Sequence, residues 1–293
     1  MKRKIDYIDI IIMLVIAIIT FLSLAPMVIT VMMSMSDSTS AALGRVLFWP
    51  RNFTLAPYQQ LMRDARFFTA FGVSVRRVLL GVSINTVFAI VMAYPLSKSK
   101  SLFPHRNVYI WFLIVNLLFS GGMIPSFMLL RSLHLLDTMW ALVLPGAVSI
   151  FNIIILMNFY KGIPSSLEES AFVDGASPFT ILWKIYVPLA RACIATITLF
   201  AVVGHWNAFF DGRIYITSPE RLPLQTYIQS LSVALDANVI RHLSSEEIIR
   251  RMEISNLTFN AAQAVVSMIP IIAIYPFLQR YFVTGMVLGA VKE

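Results

Sequence analysis

Six long stretches without a single Asp, Glu, Lys or Arg constrain this chain more than anything else in it: residues 10–33, 78–97, 107–130, 138–160, 192–210 and 254–279. Each is near or above the roughly 20 residues a helix needs to cross a hydrocarbon core. A bilayer leaves no backbone polar group for water to satisfy, so only helices or closed barrels span it. The chain therefore reads as an all-α polytopic membrane protein with six transmembrane helices. Composition agrees, since 58% of the 293 residues are hydrophobic and 13% charged, with a mean hydropathy of +0.77. A water-soluble fold of this length could hardly hide so much apolar surface. Cys193 stands alone, which excludes an intrachain disulfide.

Charge sets the expected orientation. Lys2, Arg3 and Lys4 precede the first run, which is too long for a signal-peptide core and has no small-residue cleavage site, so it reads as a retained anchor with its basic end in the cytoplasm. Lys98, Lys100, His105 and Arg106 mark the return after the second run. Carried through six crossings, this scheme puts both termini inside. All seven lysines, at 2, 4, 98, 100, 161, 184 and 292, then fall on the cytoplasmic side, whereas the outer loops carry arginine but no lysine. The formal charge of +8 is thereby read as membrane topology and contact with lipid, not as nucleic-acid binding. The expected organisation is residues 1–68 as a first helix with an outer loop, and 69–293 as a core. Within that core lie a cytoplasmic loop at 161–188, an outer segment at 211–253 and a C-terminal tail from residue 280.

The loop at 163–188, IPSSLEESAFVDGASPFTILWKIYVP, is polar and then apolar, too short to span, and set between two membrane runs. Pro164, Ser165 and Ser166 can start and cap a small helix, Gly175 can break it, and Ser177 with Pro178 can start a second. Leu167, Ser170, Ala171 and Asp174 recur at spacings of three and four, with small residues that let another surface approach the backbone.

Glu169-Ser170-Ala171, three residues, Gly175, nine residues, Ile185, one residue and Val187-Pro188 resemble the E-A-A loop of the permease subunits of ATP-binding-cassette importers. Every spacing matches, while Ser170 and Val187 replace the usual Ala and Leu. IPSSLEE and DGAS resemble the carbohydrate, maltose-permease-like branch of that family. The resemblance covers about residues 69–293 and implies a MetI-like permease fold in a bacterial inner membrane. It implies a second homologous permease, two ATPase subunits and a periplasmic or extracellular solute-binding protein as partners. The loop would be the coupling helix that docks on the ATPase, with Glu169 pairing with basic groups there and Asp174-Gly175 shaping the turn. The tail, RYFVTGMVLGAVKE, is similar to the family's G-G-V-K-G ending that reaches between the ATPase subunits. Gly289 and Lys292 keep that pattern, and Glu293 departs from it. Gly285 and Gly289 are expected beyond the end of helix 6. AYPLSKSK and the tail look most like permeases for complex oligosaccharides, including uronates such as alginate.

Polar residues inside the runs are the pathway candidates: Asn85 and Thr86, Asn116 and Ser120, Asn152 and Asn158, Asn260 and Gln263, with Trp206-Asn207 resembling a W-N element of sugar permeases. Interhelical hydrogen bonding is the alternative role for each. Arg76 and Arg77 lie at the start of the second run, where they either attract an anionic sugar or snorkel to outer headgroups. SSEEIIRRMEI, in the outer segment, reads as a capped surface helix that faces the binding protein or simply solvent.

Chemistry of its own is not expected of this chain. It has no Gly-Lys dipeptide and so no P-loop, its four histidines are scattered, and no HExxH or GxSxG occurs. No catalytic residue, metal ligand or cofactor is assigned, and ATP hydrolysis falls to partner subunits. The competing reading is a secondary transporter of a small solute, which calls for ion-coupling carboxylates within the membrane. None of the six runs contains an acidic residue.

Overall fold

A computed structural model describes residues 7–233 and 256–290, with side chains described at 7–230 and 257–276. The chain forms two compact units. One comprises the chain up to Phe67 together with 228–269, and the other comprises 68–227 and the chain from Pro270.

In the first unit, α1 (Tyr7–Ser34) is apolar around its whole circumference, with its apolar stretch exposed to the surroundings. A helix apolar on every face needs lipid or another protein around it. Ser34 ends it, buried and bonded to the Tyr58 hydroxyl at 2.7 Å. Asp37 caps the short α2 (Ser38–Ala42) by accepting from the Ser40 N–H, and α3 (Ala56–Arg63) carries Pro57 in its first turn. Asp64 accepts from the N–H groups of Arg66 and Phe67 at 3.0 and 3.3 Å, satisfying two orphan donors at the start of the next helix.

That helix, α4 (Ala65–Ser97), runs into the second unit and begins thirteen residues upstream of the charge-free run, because Arg76 and Arg77 sit within it. The third apolar run breaks into α5 (Arg106–Leu118) and α6 (Met123–Ser132), bent by 112°. Gly122 takes φ +83, a left-handed value that favours glycine, and Pro125 fits the first turn of α6 but not the interior of one continuous helix. The fourth run breaks likewise into α7 (Met139–Val143) and α8 (Ile150–Lys161), separated by a 3₁₀ turn at Leu144–Gly146. There Pro145 removes a donor from the ladder, and the two parts bend by 44°.

Past the loop come α9 (Ser165–Val173), α10 (Pro178–Ile181), a π-turn at Leu182–Tyr186, α11 (Val187–Leu189) and α12 (Arg191–Asn207). The direction changes by 83° ahead of α12. The polar segment after it folds as α13 (Phe210–Tyr215) and α14 (Leu224–Val233). Finally α15 (Asn256–Ala290) runs beyond the expected end of its apolar stretch. Gly285 and Gly289 therefore lie inside this helix and not past it, since neither glycine alone stops a helix that apolar residues continue. The surface helix expected at SSEEIIRRMEI, like Lys292 and Glu293, lies outside the described residues.

Among the described residues, three helices are long and apolar enough to cross a membrane, and three bent pairs meet the same test when each pair is taken as one span. The core of the second unit gathers Ala89, Ala93, Leu156, Tyr160, Ile181 and Ala190, all nearly inaccessible. Alanines on α4 let the facing helices come close, as small residues do where lipid offers no hydrophobic driving force.

The turn between α6 and α7 is pinned by Asp137, at φ +58. Its carboxylate accepts from the N–H groups of Thr217 and Ser218 at 3.0 and 2.9 Å, from the Ser218 hydroxyl at 2.5 Å and from Arg221 at 3.2 Å. Partial burial pushes its pKa up, but the Ser218 and Thr217 bonds and the Arg221 charge outweigh it and hold the group below the ordinary value. A depressed carboxylate contributes stability above its unfolded pKa and loses it as pH falls through the folded one. Asp137→Asn should therefore destabilise the detergent-solubilised chain by about 1–2 kcal/mol at neutral pH, and the gap from wild type in thermal unfolding should shrink below about pH 4.

Candidate functional site

The first helix of the loop is capped through backbone groups and not by a side chain. α9 starts at Ser165 with Pro164 in the capping position, so neither Ser165 nor Ser166 caps it through a hydroxyl. Pro164 adopts an extended conformation and has no N–H to leave unpaired. At the other end the N–H groups of Asp174, Gly175 and Ala176 donate to Ser170, Phe172 and Ala171 at 2.9–3.1 Å. Gly175, at φ +78, makes that closure without strain. Ser177 caps α10 by accepting from the Thr180 N–H, with Pro178 in the first turn.

These turns sort the motif residues by face. Ala171, Ile185 and Val187 pack against the core, while Glu169, Ser170, Asp174 and Gly175 are exposed, along with Val173 at 88%. Pro188 is half-buried, and Gly289 lies on the backbone of α15.

Glu168, one residue before the motif, turns the opposite way and is 7% exposed. It forms an ion pair with Lys98, just past the end of α4, at 2.8 Å, and accepts from the hydroxyls of Tyr186 at 2.8 Å and Tyr94 at 3.2 Å. The Lys98 ammonium lies 3.9 Å from the centre of the Tyr94 ring and 4.0 Å from that of Tyr186, a double cation–π contact. Burial pushes the Glu168 pKa up, yet the bonds from Lys98 and Tyr186 and the Lys98 charge prevail and hold it below the ordinary carboxylate value. Burial lowers that of Lys98, partly offset by Glu168. The sequence signalled none of this, because a charged residue at a helix start reads as solvated.

Also within the second unit, a cleft of about 650 Å³ is lined by residues of α4, the α7–α8 break, α12 and α13. Asn85 organises it. Its Nδ2 donates to the carbonyls of Gly146 and Ala147 at 2.7 and 2.8 Å, which leaves Oδ1 facing His205 Nε2 at 3.1 Å. An amide oxygen only accepts, so this network assigns the imidazole hydrogen to Nε2. The ring lies against Gly81 of α4, where any Cβ would come within 2.4 Å of it.

Asn152 also lines the cleft, reaching toward the Ile197 carbonyl at 3.4 Å. Phe151 and Phe200 face each other at 6.4 Å. Arg77, 3% exposed, pairs through both terminal guanidinium nitrogens with Asp211 and also donates to the Ala208 carbonyl at 3.3 Å.

The expected pathway set is thus only partly brought together. Arg77, Asn85 and Asn152 line the cleft. Arg76 points away and is exposed, as consecutive helical residues must diverge. The two arginines therefore face different surroundings, and Arg77 meets the Asp211 carboxylate. Asn116 is exposed and bonds its own helix at Phe112, Trp206 is buried edge-on to Phe71, and Asn207 is exposed. Asp211 is a lining residue that the sequence left unassigned, and His205 lines the cleft next to the Trp206-Asn207 element. Asp211 looked like the first residue of a solvated segment.

A scan against protein-family models finds no match. The chain is 38% identical over 259 residues to Protein LplC of Bacillus subtilis (strain 168), covering 88% of this chain and 86% of that protein. It is 36% identical over 243 residues to the polygalacturonan/rhamnogalacturonan transport system permease protein YtcP of the same strain, covering 83% of each. Among solved structures, the crystal structure of a bacterial ABC transporter involved in the import of the acidic polysaccharide alginate matches with a TM-score of 0.83 and 30% identity, over 96% of this chain and 100% of that one. The chain belongs to the sugar and oligosaccharide permeases of ATP-binding-cassette importers.

Two outcomes test this geometry. Gly81→Ala drives a methyl into the His205 ring and should break the Asn85 bond, lowering stability by about 1–3 kcal/mol and cutting uptake. Arg77→Met alone strands Asp211 and should cost about 2–3 kcal/mol, the low side because Asp211 keeps some solvent. Arg77→Met with Asp211→Leu should recover most of that loss in thermal unfolding of the solubilised protein.

Proposed function

We propose that this chain is half of the transmembrane pathway of an ATP-driven, binding-protein-dependent importer of oligosaccharides, with acidic chains such as oligouronides as its substrates. It crosses the bacterial inner membrane six times with both termini in the cytoplasm, the bent pairs α5–α6 and α7–α8 each serving as one crossing and α12 as the next. A second permease completes the pathway, two ATPase subunits supply the energy, and a solute-binding protein delivers the sugar. Catalysis lies wholly with the ATPases. Support for the substrate class comes from relatives named for polygalacturonan and alginate, both acidic polymers. The observation that carries the reading is the two-faced loop. α9 presents Glu169, Ser170, Asp174 and Gly175 outward while Ala171, Ile185 and Val187 hold it to the core. That is the form a docking element takes when it must be accessible on one side and rigid on the other.

Copurification and vesicle uptake test it. The wild-type chain should bring down the ATPase subunits and the second permease, and vesicles should accumulate a uronate oligomer only with ATP inside and binding protein outside. Glu169→Ala should weaken ATPase retention about tenfold or more, as loss of one partner of a buried charged contact does. Uptake driven by a proton or sodium gradient without ATP would instead establish a secondary transporter.

A further inference from the structure

The loop has a second acidic residue, and its surroundings differ from those of Glu169 in every respect. Glu168 points inward, and each group that holds it belongs to an element leading to the cleft. Tyr94 belongs to the end of α4 and Lys98 follows directly after it, and α4 carries Arg77, Gly81 and Asn85. Tyr186 ends the π-turn that feeds, through α11, into α12 and hence His205. Tyr160, from the end of α8, stacks edge-on against Tyr186 at 5.2 Å, and α8 carries Asn152. One carboxylate thus grips the end of α4 and the π-turn that leads on to α12, and the end of α8 is braced against the same tyrosine.

We propose that Glu168 and Lys98 form the joint through which a displacement of α9 is passed to α4 and α12, making Glu168 a positioning residue for transport with a role separate from that of Glu169. This deepens the coupling reading above and rests on it. A surface ion pair could not do this, since exposed pairs exchange with water and hold little. Here both side chains are about 10% exposed, the carboxylate is fixed by three donors, and the ammonium is confined between two aromatic faces. Sliding α9 without moving α4 or the Tyr186 turn would leave a charge buried and unpaired, which is strongly disfavoured. A rigid connection follows. α4 then carries the motion as one continuous 33-residue helix, and interior packing transmits rather than absorbs it.

The division of labour predicts different phenotypes for adjacent residues, read on the whole transporter reconstituted in vesicles. With Glu168→Gln the ATPase subunits should still copurify and ATP should still be hydrolysed, but the ATP consumed per sugar imported should rise about tenfold or more. Tyr186→Phe, which keeps the ring over Lys98 and removes only one hydrogen bond, should give a smaller rise of the same kind. The exchange Glu168→Lys with Lys98→Glu should recover part of the coupling. A purely structural role would lower the amount of folded transporter without changing the ratio. An unchanged ratio in Glu168→Gln overturns the joint, as does loss of the ATPase subunits in parallel with Glu169→Ala. If Glu168→Gln yields no folded chain, Tyr186→Phe decides, and an unaltered ratio there also overturns it. Failure of the wild-type chain to bind any ATPase would sink the coupling reading itself, a result distinct from all of these.

Discussion

The side-chain amide of Asn85 does for this bundle what an uninterrupted helix would otherwise do for itself. Pro145 and Gly146 break the backbone ladder between α7 and α8, and carbonyls released there in an apolar setting cost several kcal/mol if left unpaired. Asn85 reaches from α4 to two of them, at Gly146 and Ala147, and takes a hydrogen from His205 on α12 with its remaining oxygen. Three elements are joined by one residue with its hydrogen-bonding groups satisfied. A bent element becomes tolerable, and residues at the break line the cleft.

A second fixed point lies at Glu168, where α4 ends, and it works by charge rather than by amide. The two points share α4, so that helix is held both beside the cleft and beside the loop. Between them the contacts are small and apolar: Ala89 and Ala93 on α4, with Leu156 and Ile197 from its neighbours. Polar groups at two places and close packing between them tie these elements together along their length.

Both buried ion pairs were hard to read before the fold was known. Arg77 looked like one of two arginines at a membrane surface, because adjacency in sequence suggests shared purpose. A helix turns consecutive residues about 100° apart, and only Arg77 faces Asp211. Glu169 was singled out by its motif and its neighbour Glu168 was not, and the same rotation turns Glu168 inward. Asn85 and Asn152 were legible as polar residues in apolar runs, whereas Asn116 carried the same signal and bonds only its own helix. The signal marks a group needing a partner and does not say where the partner stands.

From its sequence alone the chain was committed to helices, to the approximate places where they run through apolar surroundings, and to a capped, glycine-closed loop at 163–188. All of these are set by local rules: hydrophobic run length, proline and glycine geometry, and spacing along one short segment. Tertiary structure alone decided how far two of the apolar runs bend, that the chain turns sharply ahead of a third, and that Gly289 falls within α15. It also decided which of each adjacent charged pair is buried. Such choices depend on groups far apart in the chain, as with Arg77 and Asp211 or Lys98 and Glu168, and only the folded backbone brings those groups together.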